Sequence, residues 1–159
     1  MDQTPDAFAA ALSSGDTDRV NRAIDSVDDM ELEERAALFD DCFERCRDLY
    51  ASDNGYQRQS VVRFAAALYP GLAFRTVGAD RTDAVLPDDW TLDEIATHRH
   101  RLREFYLDAL VDDDGRVRRA AAKGLKELAV AAELIGAEDE LQTMLAELET
   151  LAENHNDES

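Results

Sequence analysis

Val111–Leu128 reads VDDDGRVRRAAAKGLKEL. It opens as an acidic turn around one glycine, Gly115, passes through Val117-Arg118, and continues as a run of small residues ending in leucine. Val117, Ala121, Gly124 and Leu128 recur at intervals of three and four, which sets them on one side of a helix. Arg116, Arg119, Lys123 and Lys126 form a second row nearly opposite, at i, i+3, i+7 and i+10. Both lysines of the chain stand in that row.

A shift of sixty residues carries Gly55 onto Gly115 without a gap. Asp53 then falls on Asp113, Arg58 on Arg118, Arg63 on Lys123 and Leu68 on Leu128. The matches are the turn and the core, the positions that a repeated helix–turn–helix unit needs. In the earlier copy Gln57 stands where the later one has Val117.

An aspartate-containing turn, Val-Arg, and a small-residue helix ending in leucine together resemble the turn and second helix of a HEAT-type repeat. The full signature covers about one repeat, and the wider hairpin pattern covers most of the chain. The resemblance implies an all-α, right-handed α-α superhelix of about three helical hairpins plus a C-terminal helix. It also implies that Asp113 with Arg118, and Asp53 with Arg58, belong to a structural ladder between neighbouring repeats. In solenoids of this kind the second helices line a concave surface, so Tyr56, Gln59, Arg63, Arg116, Arg119, Lys123 and Lys126 are expected to share one groove.

The rest of the chain divides into helices by the same logic. Thr4 and Pro5 begin a short first helix with Phe8 and Leu12 on its apolar side. Asp16 caps a second, in which Val20, Ala23, Ile24 and Val27 make one stripe. A third starts near Met30, with Phe39, Phe43, Cys46 and Tyr50 inward; Cys42 and Cys46 read as small core residues. The fourth follows the turn Ala51–Gly55 and stops before Pro70. A long irregular stretch from Arg75 to Trp90 is a possible loop contact, with Trp90 pinning it to the helices. Thr91 and Glu94 form a capping box for the fifth helix, and His98 and Arg99 fall at the edge of its apolar stripe. The sixth is the opening stretch, ended by Gly136. The seventh carries Leu141, Met144, Leu145, Leu148 and Leu151. One domain over residues 1–153 is expected, with 154–159 as a frayed tail.

Composition narrows the function. Among 159 residues, 36 acids face 17 basic residues, for a net charge of −19. The acids are spread from end to end, which resembles the salt adaptation of halophilic archaea more than a face built for a basic partner. No apolar run reaches the length of a membrane span, and the N-terminal stretch has no secretory pattern, so a cytoplasmic protein is expected. The two cysteines lie one helical turn apart and staple nothing. A His-x-His pair on a helix points to opposite sides, so no metal site is expected, and no cofactor motif is present.

No phosphate loop, nucleophile elbow or Cys–His pair occurs, so the expected role is non-enzymatic: an adaptor binding a protein or peptide. The alternative is a nucleic-acid-binding or DNA-repair protein using Arg63, Arg116, Arg119, Lys123 and Lys126. Some DNA glycosylases are built from HEAT-like repeats, and Trp90, Tyr56 and the lysine row resemble their aromatic and basic surface only loosely. A homo-oligomer interface is the third option. Phosphate attraction weakens steeply with salt, and a Debye length of about 3 Å at molar ionic strength favours a partner held by shape.

Overall fold

A computed structural model describes residues 2–69, 92–134 and 138–157. Their regular structure is helical throughout: α1 Pro5–Leu12, α2 Thr17–Asp28, α3 Leu32–Tyr50, α4 Gly55–Leu68, α5 Leu92–Leu110, α6 Gly115–Leu134 and α7 Glu138–Asp157. The 75–90 stretch, Trp90, Thr91 and Gly136 lie outside the described residues.

Local chemistry explains the boundaries. Thr4 accepts the Ala7 N–H and Pro5 occupies the first helical position. Asp16, Asn54 and Asp114 each stand one residue before a helix, and each side chain accepts backbone N–H groups of the first turn. Tyr69 is extended, as expected before a proline, and α4 ends there. α7 continues through Asp157, into the stretch expected to fray, because extending a nucleated helix adds one hydrogen bond per residue ordered.

The hairpins α1–α2, α3–α4 and α5–α6 stack so that α2, α4 and α6 form one layer. These three run in the same direction. The start of α4 meets the start of α2 where the Tyr56 hydroxyl donates to Thr17, and further along both helices Arg63 donates to Asn21. Gly55 likewise abuts Asp114 at the start of α6. In the other layer α3 and α5 run side by side: Phe39 packs on His98 at 4.0 Å between ring centroids, Phe43 on Phe105 at 5.7 Å. Arg101 reaches back from α5 to Asp40 and Glu44. α7 extends this layer beside α5, through Arg99 to Glu140 and Arg103 to Glu147. It takes the place of the first helix of a further hairpin.

One core fills the space between the layers, with Phe8, Phe39, Phe43, Phe64, Leu68, Leu102 and Tyr106 at its centre. Cys42 and Cys46 are free thiols within it. Burial, reinforced by Asp41 and opposed by Arg45, pushes the Cys42 thiol up to about 11; burial pushes Cys46 higher still. Gly124 is required by packing: a Cβ there would sit 2.5–2.8 Å from the Tyr106 ring.

The ladder between hairpins runs through a different acid from the expected one. Asp112, whose side chain is 7% exposed, accepts from Arg58 Nε at 2.9 Å and from Arg58 Nη2 at 3.0 Å. It also accepts from the Tyr50 hydroxyl at 2.6 Å and from the Asp114 N–H at 2.8 Å. Burial alone would raise the Asp112 carboxyl; the hydrogen bonds from Arg58, Tyr50 and the Asp114 backbone outweigh it and hold it below the usual carboxylate range. Asp53 and Asp113 are exposed instead. In a non-helical turn alternate side chains point to opposite sides, so Asp112 and Asp114 face α4 while Asp113 faces away. The arginines do repeat at the level of atoms. Arg58 Nη1 donates to the Ser52 carbonyl, and Arg118 Nη1 to the carbonyl sixty residues on, that of Asp112.

Candidate binding groove

The layer of second helices encloses a cleft of about 260 Å³. α2 contributes Ile24 and Asp28; α4 contributes Arg63, Ala66 and Ala67; α6 contributes Ala120, Lys123, Gly124 and Glu127. Its floor is alanine and glycine because helices in this layer approach closely, and its rim carries long charged chains. The volume lies below the usual range for a small-molecule pocket, about 300–1,000 Å³, and suits a side chain or two of a bound segment.

The structure brings together Arg63 and Lys123 from the expected set. Arg63 is half-buried and held by Asn21, with Nη2 to Oδ1 at 3.1 Å. Lys123 is exposed at the rim. Tyr56 and Gln59 are half-buried further towards the start of α4, and Tyr56 donates its hydroxyl to Thr17 at 2.8 Å. Arg116 is exposed but committed: Nε and Nη2 grip Asp114 at 3.1 and 2.7 Å, and its backbone N–H donates to the same carboxylate. This clamp holds the half-buried Asp114 carboxyl well below the usual range. Arg119 and Lys126 are exposed and do not line the cleft. At 100° per residue they lie about 40–60° around α6 from Lys123, on the shoulder away from Ala120 and Gly124.

Two acids complete the rim, Asp28 and Glu127. Burial pushes the Asp28 carboxyl up, Arg35 pulls it down, and Asp25 and Asp29 raise it further. With Arg63 and Lys123 opposite, the charges at the cleft cancel, so it is mixed and not basic. The i, i+4 step from Lys123 to Glu127 was readable in the sequence; Asp28 required knowing that α2 lies beside α4.

Elsewhere, the second basic cluster is used internally. Arg99 and Arg103 are buried and paired with α7, Arg101 spans to α3, and His100 pairs with Glu104 at 3.3 Å. Among the described residues no three His, Cys, Asp or Glu side chains come together to hold a metal ion. No described helix is long and apolar enough to cross a membrane. Comparison with protein-family models, with curated proteins and with solved structures found no match.

Proposed function

We propose that this chain is a non-enzymatic adaptor, a right-handed HEAT-like superhelix that acts in the cytoplasm of a salt-adapted cell. Its cleft between α2, α4 and α6 holds a short segment of another protein. The observation that carries this reading is the convergence of Arg63 and Lys123, from two hairpins, on a small cleft whose rim also holds Asp28 and Glu127. Such alternating charge over an apolar floor suits a peptide that presents an apolar side chain between polar groups. The two acids speak against a phosphate backbone, which needs uncompensated cations.

A photo-crosslinking amino acid at position 123, with one at the exposed position 41 as control, would be used in extracts at native salt. A partner captured at 123 alone is then reduced to a synthetic segment and titrated against Arg63→Ala and Lys123→Ala. Weakening by both variants, with affinity nearly flat in salt, supports the reading. Affinity that falls log-linearly with salt, with a slope reduced by about one in Lys123→Ala, points to nucleic acid instead.

A further inference from the structure

Two cations and two acids line the cleft between α2, α4 and α6, and none of the four is in an ion pair among the described residues. Elsewhere the arginines are spent on carboxylates: Arg58 on Asp112, Arg99 on Glu140, Arg101 on Asp40 and Glu44, Arg116 on Asp114. Arg63 is half-buried, and Asn21 accepts from its Nη2; its Nε and Nη1 meet no acceptor among the described residues. Lys123 and Glu127 stand at i, i+4 with the lysine first, the less favourable order for a pair along one helix.

The charges are also ordered. Along α6, Lys123 precedes Glu127 by about 6 Å at 1.5 Å per residue. Along α2, Asn21, which fixes the end of Arg63, precedes Asp28 by about 10 Å. The three helices run in the same direction, so on both walls the cation lies towards the helix starts and the acid towards the helix ends. Between them the floor is Ala66, Ala67, Ala120 and Gly124, small enough for a backbone to come close and without a polar side chain.

We propose that the segment held in this cleft is amphoteric. It carries a carboxylate that meets Arg63 and Lys123 and, about 6–10 Å away, a lysine or arginine that meets Asp28 and Glu127, with a small apolar residue between. This rests on the cleft holding a protein segment, as proposed above, and adds that segment's charge order. In an extended chain the two charged residues stand two or three apart, at about 3.3 Å per residue. An occupant of one sign pairs with half of the cleft and is repelled by the other half, so the arrangement selects against purely basic and purely acidic segments. The pairs act at contact range, which concentrated salt screens far less than the long-range field of an acidic chain.

The probes are short blocked peptides flanked by glycine and serine, with the centres Glu-Ala-Lys, Glu-Ala-Glu, Lys-Ala-Lys and Gln-Ala-Gln. Each is titrated into the isotope-labelled full-length chain in concentrated KCl, and the amide shifts of Ala66, Ala67, Ala120 and Gly124 are followed by NMR. The expected result is saturable binding of Glu-Ala-Lys in or below the millimolar range, at least about fivefold tighter than the other three. Lys123→Glu should weaken Glu-Ala-Lys and strengthen Lys-Ala-Lys; Glu127→Lys should weaken Glu-Ala-Lys and strengthen Glu-Ala-Glu. Both side chains are exposed, so spectra away from the cleft should match the parent.

Equal shifts from all four peptides, a preference of the parent for Lys-Ala-Lys, or no saturable shift with Glu-Ala-Lys up to about 10 mM overturns the proposal. So does an exchange of Lys123 or Glu127 that leaves the preference where it was. The underlying reading fails separately, when crosslinking at 123 captures nothing beyond the control at 41. A partner captured at 123 whose bound segment lacks the acid and base leaves the site standing and removes the charge order.

Discussion

Replacing Arg58 by alanine isolates the contact that joins the second and third hairpins. Removing one partner of a buried ion pair costs about 3–5 kcal/mol, because the other charge is left desolvated. Here the Asp112 side chain is 7% exposed and that of Arg58 17%, so the carboxylate stands near the buried limit. It keeps the Tyr50 hydroxyl and the Asp114 N–H, which soften the loss. The expected cost of Arg58→Ala is therefore about 2–3 kcal/mol. Arg118→Ala removes only donations to carbonyls at an exposed turn and should cost about 0.5–1 kcal/mol. Urea denaturation at constant KCl measures both. With a slope of roughly 2 kcal/mol per molar, Arg58→Ala should lower the midpoint by about 1–1.5 M. Pairing Arg58→Ala with Asp112→Ala in a double-mutant cycle should return a coupling of about 1–3 kcal/mol. Equal costs for Arg58→Ala and Arg118→Ala would refute the reasoning. So would a cost for Asp113→Ala that matches that of Asp112→Ala.

Acid should act through the same contact. The folded-state carboxyl of Asp112 lies below its unfolded value, so its contribution is present above about pH 4 and is lost as pH falls towards the lowered value. Asp112→Asn should flatten that part of a stability–pH curve measured by urea titration. Alkali acts with the opposite sign. Cys42 and Cys46 are raised by burial, so their contribution is complete below about pH 8.5 and declines as pH rises, for Cys42 through about 11. In native protein at pH 8 neither thiol should react with a disulfide reagent faster than the chain unfolds; rapid stoichiometric labelling would contradict their burial. Gly124→Ala should destabilise by about 1–2 kcal/mol despite a helix-propensity gain approaching 1, because the methyl meets the Tyr106 ring. Adding Tyr106→Leu should make that substitution cheaper, and thermal or urea unfolding of the pair checks it.

Much of the fold was legible from local rules. Thr4, Asp16 and Asn54 stand where a helix start needs an acceptor, and Pro70 disfavours a helical Tyr69. Apolar residues recurring every three or four positions identified the inward faces of α2, α4 and α6, and their members are buried except Ile24, which is half-buried at the cleft. The site was less legible. The row Arg116, Arg119, Lys123 and Lys126 is a real surface stripe, yet packing separates its members. Arg116 is spent on Asp114, Lys123 reaches the cleft, and Arg119 with Lys126 stand on the shoulder. Helical periodicity gives an angle around one axis, and only a neighbouring helix decides which part of that arc becomes a groove.

The sequence by itself determined the helical hairpins, their turns and the sixty-residue repeat, because caps, breakers and apolar spacing act within a few residues of one another. It also marked Arg58 and Arg118 as equivalent, and they do hold equivalent carbonyls. Tertiary structure decided what they do next. Arg58 finds Asp112, and Gly55 receives Asp114, because another hairpin lies alongside; Arg118 occupies the same local position and holds the carbonyls of its own turn. Hydrogen bonds between turns some fifty residues apart have no local signature. Which of three consecutive aspartates makes them depends on the path of the turn and on the neighbour it meets.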